Sequence, residues 1–498
     1  MKYNKINTLT GVLMLFLAII PSCMDLTEAP ENRLPPDAYY LTVSQCQTAL
    51  TGVLNLYAPD TWNGIKDHPE WPDGTMNASF NWSSSYGSGY WNTGYTAMMN
   101  LNPVIKSIKA GNLSIYDPVE VNDIMGQAYF LRGWIYFNLV RMYGKIPYIT
   151  EDTPDVIANP LTPASREEVS AVYDKIEADL LNAIEKMPNT KSISAKPSIW
   201  AAKALLARVY VNRATAPLKQ TEYYAKARDM ADDVIVNGPN SFTENLSEIF
   251  NIANVKNNPE FIWGLNGADD HTLCVGLAIG PDDWGCYSGG TCRPLWAETY
   301  PEQPRKYMYV LYTFPLNLDL TADPARWNWV HYSEGNDRDP FNGKRTWPNV
   351  PREIQISTAP FIPPLPILRY SDMLLVYAEA ANMANGAPTQ LAVDRLNMII
   401  DRSNQPFQSV YGDKTSTAGT HPQATITMSK EDFDAKVMAE RVWELCFESE
   451  TFFDVIRKEK LYEVNEPDIT DHYKAGNNYL FPIPDLDALR IGQNSDYN

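Results

Sequence analysis

Apolar residues recur at intervals of three and four along most of the chain, and this spacing predicts a protein built mainly of α-helices. The first stripe consists of Ala49, Leu50, Val53, Leu54 and Tyr57, and it predicts a helix over residues 41–57. The same spacing predicts further helices over residues 90–109, 121–143, 169–184, 197–214, 220–236, 370–385 and 389–402, and a last pair between 429 and 461.

Three of these helices carry additional signals. Residues 121–143 are apolar almost all round, which indicates an inner helix covered on several sides and ending at Gly144. The segment from Ser165 to Glu168 reads Ser-Arg-Glu-Glu, which predicts a capping box before the helix that follows. Ser429 occupies a capping position before the last pair of helices.

Helical spacing is lost over residues 241–366, where proline and glycine are frequent. The helices on either side place small residues at their contacts, as in WAAKALLARVYV at 200–211, which suggests a helical solenoid similar to tetratricopeptide repeats. No self-similarity with a period of about 34 residues is visible, so the repeat itself is not demonstrated. We therefore expect a mainly α scaffold over 41–240 and 367–498, with a large loop-rich region at 241–366.

The N-terminus has the pattern of an export signal. Lys2 and Lys5 precede a short apolar run, Leu9 to Ile20. A transmembrane helix needs about 20 apolar residues, so this run fits a secretory signal better. The run is followed by Ile-Pro-Ser and then Cys23, which resembles a bacterial lipobox.

Cleavage before Cys23 would make residues 1–22 a lipoprotein signal peptide. Residues 24–38 are polar and rich in proline, so we expect residues 23–40 to form a lipidated tether and residues 41–498 the body. Acyl chains add about 0.8 kcal/mol of membrane affinity for each buried methylene, so several of them anchor a protein firmly. The alternative is an ordinary export signal followed by an accidental cysteine.

The chain carries a formal net charge of −19. A surface this acidic repels phosphate backbones and anionic lipid, which argues against a nucleic-acid partner.

The remaining cysteines give a weaker signal. Cys46 and Cys446 lie in helical patterns and are expected to be small buried hydrophobes. Cys274, Cys286 and Cys292 crowd one loop region, where one disulfide or three reduced thiols would both fit.

Sequence motifs of common enzymes are absent: there is no GxGxxG in a strand–helix context, no GxxxxGK[ST], no HExxH and no GxSxG. The histidines are scattered without the spacing of metal ligands, and no cofactor is predicted. Calcium is the one ion with candidate ligands, although solvated loop carboxylates are the default interpretation for them. The histidines are His68, His271, His331, His421 and His472, and the candidate calcium ligands are Asp269, Asp270, Asp282, Asp283 and Asp319.

Four sequence blocks resemble the SusD/RagB family of nutrient-binding outer-membrane lipoproteins of the Bacteroidetes type. They are GQAYFLRGWIYFNLVRMYGKIPYI (126–149), LRYSDMLLVYAEAAN (368–382), AERVWELCFESETFFDVIRKEKLYE (439–463) and NYLFPIPDLDAL (478–489). The early CMDLTEAPENRL and the closing IGQNSDYN are also similar to family segments. One departure is that the common Glu-Gly-His stretch appears here as Glu448-Ser449-Glu450.

The resemblance implies binding rather than catalysis. It implies a tetratricopeptide-like helical scaffold with an irregular insertion that carries ligand loops. Family members sit on the cell surface, cap a SusC-like TonB-dependent transporter and deliver glycan fragments to it, and some members take peptides instead. The resemblance thus predicts a lipid-anchored outer-membrane protein with an oligosaccharide ligand and a SusC-like partner.

The charged residues of these blocks also have a purely structural interpretation. Several lie on largely apolar helices, where a buried charge needs a partner. We therefore expect ion pairs that join helix to helix, and FPIP at 481–484 as an extended tail strapped onto the body. The charged residues are Arg132, Arg141, Arg369, Glu379, Arg441, Glu444, Glu448 and Arg457.

Aromatic loops are the candidates for ligand contact, because a pyranose ring can lie flat on an indole while polar groups bind its hydroxyls. Two regions offer this mixture, 62–91 and 282–300, and a weaker one contains Trp327, Trp329 and Trp347. Trp91 and Tyr95 begin a predicted helix, so we expect them in the core. The first region offers Trp71, Asp73, Asn77, Asn81, Trp82 and Tyr86, and the second Asp283, Trp284, Tyr287, Arg293, Trp296 and Tyr300.

Among these candidates Trp82, Tyr86 and Trp284 are preferred, although each ring could instead pack under its own loop. The sequence leaves other functions open. A peptide-binding member of the same family, a surface glycoside hydrolase and a purely structural lid are the alternatives, and the hydrolase is disfavoured because no motif supports it.

Overall fold

The structure is a computed structural model that describes residues 39–67, 87–153, 165–192, 196–250, 258–265, 297, 300–315, 328–334, 341–342, 344, 365–406, 418–448, 450–460 and 480–494. The chain divides into two compact units, residues 1–40 and 41–498. In the first unit the rings of Tyr39 and Tyr40 meet edge to face, with centroids 4.9 Å apart. The second unit contains the helices and strands.

Helices α1 to α6 follow one another along the chain, and each packs against the next. Their side-by-side order gives a mainly α, tetratricopeptide-like scaffold, as the spacing of apolar residues predicted. The helices span Val43–Asp67 (α1), Ser88–Lys109 (α2), Pro118–Tyr143 (α3), Val169–Lys186 (α4), Ile199–Ala214 (α5) and Tyr223–Asn237 (α6).

Helix α3 is the inner helix of this series. It begins with Pro118, whose missing N–H needs no partner at that position, and the Asp117 side chain accepts a hydrogen bond from the Val119 amide. Every residue from 123 to 140 is buried, which confirms the prediction from its all-round apolar pattern. Gly144 ends the helix with φ of 70°, a left-handed conformation that favours glycine.

Two predictions about helix ends are wrong. Helix α1 continues to Asp67 rather than ending near Tyr57. The prediction stopped at Tyr57 because the stripe of apolar residues ends there, whereas the helical backbone continues for ten more residues. Helix α4 has Glu168 at its N-cap without a side-chain cap hydrogen bond, so Ser165 forms no capping box. The reason is that the chain is extended here: Glu167 forms an antiparallel bridge with Ile146.

The loop-rich region contains short antiparallel strands among its described residues. Strand β1 pairs with β6, β2 with β5 and β3 with β4, each pair forming a separate two-stranded sheet. In the longest pair Phe261 lies opposite Arg369 and Leu265 opposite Leu365. The elements span Phe261–Leu265 (β1), Pro304–Tyr309 (α7), Val310–Leu311 (β2), Thr313–Pro315 (β3), Trp329–His331 (β4), Phe341–Asn342 (β5) and Leu365–Arg369 (β6), with single 3-10 turns at Leu246–Glu248 and Tyr332–Glu334.

The C-terminal helices return to the scaffold. Helix α8 packs on α6, which precedes it by more than a hundred residues, and also on α9 and α10. Ser429 caps α10 by accepting a hydrogen bond from the Asp432 amide, as predicted. The helices span Tyr370–Asn385 (α8), Gln390–Ser403 (α9), Lys430–Glu444 (α10) and Thr451–Arg457 (α11).

The chain after residue 480 is an extended strap followed by a short helix. Phe481 and Ile483 are buried, and the Phe481 amide donates to the Met142 carbonyl at 2.7 Å. This confirms the predicted tail across the body. Helix α12, Asp485–Ile491, was not predicted, because its leucines Leu486 and Leu489 face solvent and leave no buried stripe in the sequence.

Candidate functional site

Most of the ligand residues predicted from sequence lie outside the described residues, with Tyr300 and the backbone of Trp329 as exceptions. The lipidation site Cys23, the three loop cysteines and the candidate calcium ligands lie outside them as well. Their roles remain predictions. The ligand positions concerned are Trp71, Asp73, Asn81, Trp82, Tyr86, Asp283, Trp284, Tyr287, Arg293 and Trp296.

The point where the first aromatic region joins helix α2 is described and tightly packed. Gly87 has φ of 72°, and a Cβ on it would lie 2.6 Å from Cδ2 of Phe481, so only glycine fits. The Tyr143 hydroxyl donates to the Gly87 carbonyl. Trp91 is 4% exposed and its indole N–H donates to Oδ2 of Asp487 at 2.9 Å. The prediction that Trp91 is a core residue is confirmed.

Tyr95 packs beside this anchor. Its ring centroid lies 4.7 Å from that of Trp91, and its hydroxyl donates to the Pro147 carbonyl at 2.8 Å. Burial raises the pKa of the Tyr95 hydroxyl well above its usual range, so the group stays neutral. Tyr95 itself is half-buried, so it packs at the edge of the core rather than inside it.

The described residues between the second aromatic region and α7 are buried. Tyr300 is 2% exposed and its hydroxyl donates to the Trp443 carbonyl at 3.1 Å. The Ala297 carbonyl accepts a hydrogen bond from the Tyr312 hydroxyl. Tyr300, which the sequence offered with the ligand candidates, is therefore a packing residue.

Next to these residues lies a buried ion-pair network centred on Glu444, which we call the central network. Its Oε1 atom lies 3.0 Å from Nη2 of Arg369 and 2.8 Å from Nη2 of Arg402, and its Oε2 atom lies 2.9 Å from Nη1 of Arg305. Arg369 and Arg402 also share Glu260, at 2.6 and 2.7 Å. These arginines come from β6, α9 and α7, so the network joins the loop-rich region to the helical scaffold.

Lys344 extends the same network from the loop-rich region. Its ammonium group lies 2.5 Å from Oε1 of Glu448 and donates to the Glu444 carbonyl at 2.6 Å. It also lies 4.1 Å from the ring centroid of Tyr309, a favourable cation–π position. A single buried lysine thus fixes this part of the loop-rich region to α10.

A second network joins α5, α8, α10 and α11. Arg441 reaches Asp372 at 2.9 Å and Asp454 at 2.8 Å. Arg457 binds Glu379 through two bonds of 2.6 and 2.7 Å. In the same region Arg208 pairs with Asp372 and Glu450, and Arg141 pairs with Glu450.

A third cluster sits at the inner helix. Arg132 of α3 makes two bonds of 2.7 Å to Asp179 of α4 and one of 2.6 Å to Glu151. The Tyr148 hydroxyl donates to Asp179 at 2.5 Å. With this cluster, all of the charged residues that were predicted to form internal ion pairs do so.

The electrostatics of these networks suit structure rather than proton transfer. Burial by itself raises the pKa of the Glu444 carboxyl, but Arg402, Arg369 and Arg305 together outweigh it and hold that pKa well below its usual range. The same balance, with Arg457 as the largest opposing charge, lowers the pKa of Glu379. Ionised carboxylates between permanently charged arginines have no proton to donate near neutral pH.

No group of three or more histidine, cysteine, aspartate or glutamate side chains that could hold a metal ion occurs within the described parts of the chain. Of the described histidines, His421 faces Oε1 of Glu440 at 2.6 Å and His331 faces Oγ of Ser333 at 2.9 Å. Cys46 and Cys446 are buried, as predicted. Among the described helices, none is long and apolar enough to cross a membrane.

Sequence reasoning missed four members of the central network: Glu260, Arg305, Lys344 and Arg402. The first three lie where no helical spacing indicates burial. The burial of Glu260 could have been predicted, because it directly precedes the apolar Phe-Ile-Trp of β1.

Comparison with known proteins identifies the family. The family described as starch-binding associating with outer membrane matches residues 60–211, and the SusD family matches residues 357–486. The chain therefore belongs to the SusD/RagB family, as its sequence blocks predicted.

Individual relatives span nearly the whole chain. SusD-like protein P2 of Formosa agariphila is 25% identical over 522 residues, covering 96% of each protein. A SusD homolog from Bacteroides thetaiotaomicron shares the fold with a TM-score of 0.70 at 20% identity, covering 93% of this chain and 99% of that one. A laminarin-binding SusD-like protein has a TM-score of 0.64 at 20% identity, covering 91% of this chain and 99% of that one.

Proposed function

We propose that this protein binds oligosaccharide at the cell surface and delivers it to a SusC-like TonB-dependent transporter. The observation that carries the proposal is family membership, with residues 60–211 matching a family described as starch-binding and associated with the outer membrane. The laminarin-binding protein with the same fold supports a glycan ligand. No enzyme family is among these similarities, so we propose binding without catalysis.

The scaffold suits this role because it is tightly packed where each aromatic region ends. Gly87 and Trp91 pack against the C-terminal strap, and Tyr300 and Arg305 pack against α10. Binding residues concentrate in loops held by a rigid frame. Trp82, Tyr86 and Trp284 are the rings that we propose for contact with sugar faces.

Attachment to the membrane would come from the N-terminus. In this proposal residues 1–22 are removed, Cys23 carries the lipid, and residues 23–40 tether the body outside the outer membrane. A firm anchor then keeps the binding protein beside its transporter and raises the local concentration of captured ligand.

The test of the site is calorimetry with an oligosaccharide that binds the wild-type chain. Trp82→Ala and Trp284→Ala are expected to weaken binding roughly tenfold or more, since base-sized rings stacked on aromatic side chains contribute about 1–3 kcal/mol. Tyr116→Ala is the control, because this half-buried ring lies in the turn between α2 and α3, outside both aromatic regions. Unchanged affinity in both tryptophan variants would refute the choice of loops.

The test of the partner is a pull-down of the lipidated protein from native membrane in detergent. Recovery of a TonB-dependent transporter is the expected result. If no such transporter is recovered, delivery to a partner is contradicted, whereas release of reducing ends from the glycan by purified protein would favour the hydrolase alternative.

A further inference from the structure

A cavity of about 400 Å³ opens at the end of α3. It lies where α3, α4, α5 and α11 meet the C-terminal strap, so five separate parts of the chain build its walls. Its volume is within the range of small-ligand pockets, about 300–1,000 Å³. The wall residues are Val140, Arg141, Gly144, Lys145, Arg166, Val169, Tyr173, Asn212, Ala216, Pro217, Phe453, Ile456, Arg457, Leu480, Gln493 and Asn494.

The charges on these walls are opposite in sign to that of the chain. Four wall residues are cationic, Arg141, Lys145, Arg166 and Arg457, and no carboxylate is among the described wall residues. The whole chain carries a net charge of −19. A cavity lined by one sign of charge and apolar surface concentrates ligands of the other sign.

Two of these cations, Arg141 and Arg457, already form ion pairs with buried carboxylates. Arg141 lies between the rings of Phe137 and Phe453, 3.9 and 3.8 Å from their centroids, and it pairs with Glu450 at 2.7 Å. Arg457 is held by the paired bonds to Glu379 described above. These arginines shape the cavity wall and add little net charge.

Arg166 is different because its hydrogen-bond partners are all uncharged oxygens. Its Nε atom donates to the Lys145 carbonyl at 2.7 Å, and its Nη1 atom donates to the carbonyls of Gly492 and Gln493 at 3.3 and 3.1 Å. Its Nη2 atom donates to Oδ1 of Asn494. Within the described chain no carboxylate lies at ion-pair distance from Arg166.

The pKa of Arg166 agrees with the absence of a carboxylate partner among the described residues. Burial lowers the pKa of its guanidinium, which indicates a cation that is partly removed from water without a carboxylate to compensate. Because carbonyls hold the group in one place, its charge is fixed beside the cavity. A ligand that carries negative charge would supply the missing partner.

Lys145 adds a movable cation at the rim. It follows Gly144 and pairs with Glu168 at 2.6 Å, but the two side chains are 51% and 69% exposed. Exposed pairs of this kind contribute little stability, so Lys145 can exchange its partner at low cost.

We propose that this cavity is a second binding site, for an anionic sugar unit that carries a carboxylate or sulfate group, with Arg166 providing fixed charge and Lys145 closing on the anion. The sugar part of this assignment rests on the proposed function, whereas the anionic part rests on the cavity alone. Neutral glycans would use the aromatic loops and not this cavity.

The test is calorimetry of the purified chain with D-glucuronate and glucose 6-sulfate, with D-glucose and acetate as matched ligands. We expect the charged sugars to bind, glucose not to bind, and the affinity to fall as salt is raised. Lys145→Met is expected to weaken binding by roughly tenfold, the effect of one charge-assisted hydrogen bond. Lys175→Met is the control, since Lys175 forms a similar exposed pair, with Glu167, outside the cavity wall.

A second pair of variants tests the cavity without relying on a substitution that could unfold the protein. Val169 is the first residue of α4 and lines the cavity, whereas Ser170 follows it and does not. A glutamate suits either position, because carboxylates are favourable in the first turn of a helix. Val169→Glu is expected to abolish binding of the charged sugars while Ser170→Glu preserves it, with both variants folded.

The outcomes separate this inference from the proposed function. Binding of charged sugars that persists in Trp82→Ala and Trp284→Ala but is lost in Val169→Glu supports the second site, even if neutral glycans fail to bind. Acetate that binds as tightly as glucuronate would confirm an anion site and overturn its assignment to a sugar. The proposal is overturned if neither charged sugar binds, or if Lys145→Met and Lys175→Met behave alike.

Discussion

The Arg457 guanidinium and the Glu379 carboxylate face each other through two hydrogen bonds of 2.6 and 2.7 Å, and both side chains are only 2% exposed. The pair joins α11 to α8 across 78 positions of the sequence. Because both charges are removed from water, each depends on the other, and the pair fixes how the last helices sit on the scaffold.

Removing one member of this pair is expected to destabilise the fold strongly. Among the described residues, Glu379→Gln leaves the buried Arg457 with Asp454 as its remaining charged partner, so we expect a loss of about 3 kcal/mol, the lower end for a broken buried pair. Chemical denaturation monitored by circular dichroism measures it. Glu459→Gln is the control, because its pair with Lys219 is exposed and should change stability by less than about 1 kcal/mol. Equal losses in the two variants would contradict a buried role for Glu379.

We expect Arg369 to contribute more to the stability of the central network than Lys344. Arg369→Met leaves Glu260, Glu444 and Glu448 with fewer charged partners, and we expect a loss of about 3–5 kcal/mol or failure to fold. Lys344→Met removes one partner of Glu448, which still has Arg369, and leaves a side chain of similar size among aromatic rings.

For Lys344→Met we therefore expect a smaller loss, about 1–2 kcal/mol. Urea unfolding of both variants checks the order. If Lys344→Met proves as damaging as Arg369→Met, the larger number of ion pairs that Arg369 makes does not decide its contribution to stability.

Stability is expected to fall in acid. Burial opposed by arginine charges leaves the pKa values of Glu379 and Glu444 below those of the unfolded chain, so the unfolded state binds more protons as pH falls. Their contribution is complete above about pH 5, begins to fall near the usual glutamate pKa of about 4, and is fully lost only as the pH reaches the lower pKa values of the folded state. Asp434, whose pKa is raised by burial and by Glu379, acts in the opposite direction.

Unfolding free energies measured between pH 7 and pH 3 test this expectation. The wild type should lose stability more steeply below pH 5 than Glu379→Gln, which has one fewer of these carboxyls. Parallel curves for the two proteins would show that Glu379 is not responsible for the acid sensitivity.

Alanine substitutions at two glycines distinguish the effect of a steric clash from that of backbone strain. Gly87 and Gly111 have φ of 72° and 80°, so alanine is strained at both positions, at a cost of about 1 kcal/mol. Only at Gly87 would the added Cβ also meet Phe481, at 2.6 Å, while nothing lies within 4 Å at Gly111.

Gly87→Ala is therefore expected to lower the melting temperature more than Gly111→Ala. It should also disturb the junction between the first aromatic region and α2, which near-ultraviolet circular dichroism of Trp91 and Tyr143 can detect. Similar melting temperatures would mean that Phe481 moves aside without cost.

Sequence reasoning predicted most helices because their burial leaves a periodic stripe, as in residues 121–143. It placed Arg132 and Arg441 in ion pairs because a charge inside an apolar stripe has few alternatives. It missed α12, whose leucines face solvent, and the cap of α4, where a bridge to Ile146 overrides the local capping sequence. It also missed Lys344 and Arg305, whose burial depends on α10 and leaves no local pattern. The ligand positions Trp82 and Trp284 stay predictions, since aromatic rings in loops look alike whether they bind or pack.

One titration series tests whether this acidic family member captures glycan. The chain from residue 24 onward is titrated in a calorimeter with plant and host oligosaccharides and, in parallel, with peptides of similar mass. We expect saturable heat with at least one oligosaccharide and none with peptides. Saturable heat with peptides alone would contradict it and identify a peptide-binding member of the same family.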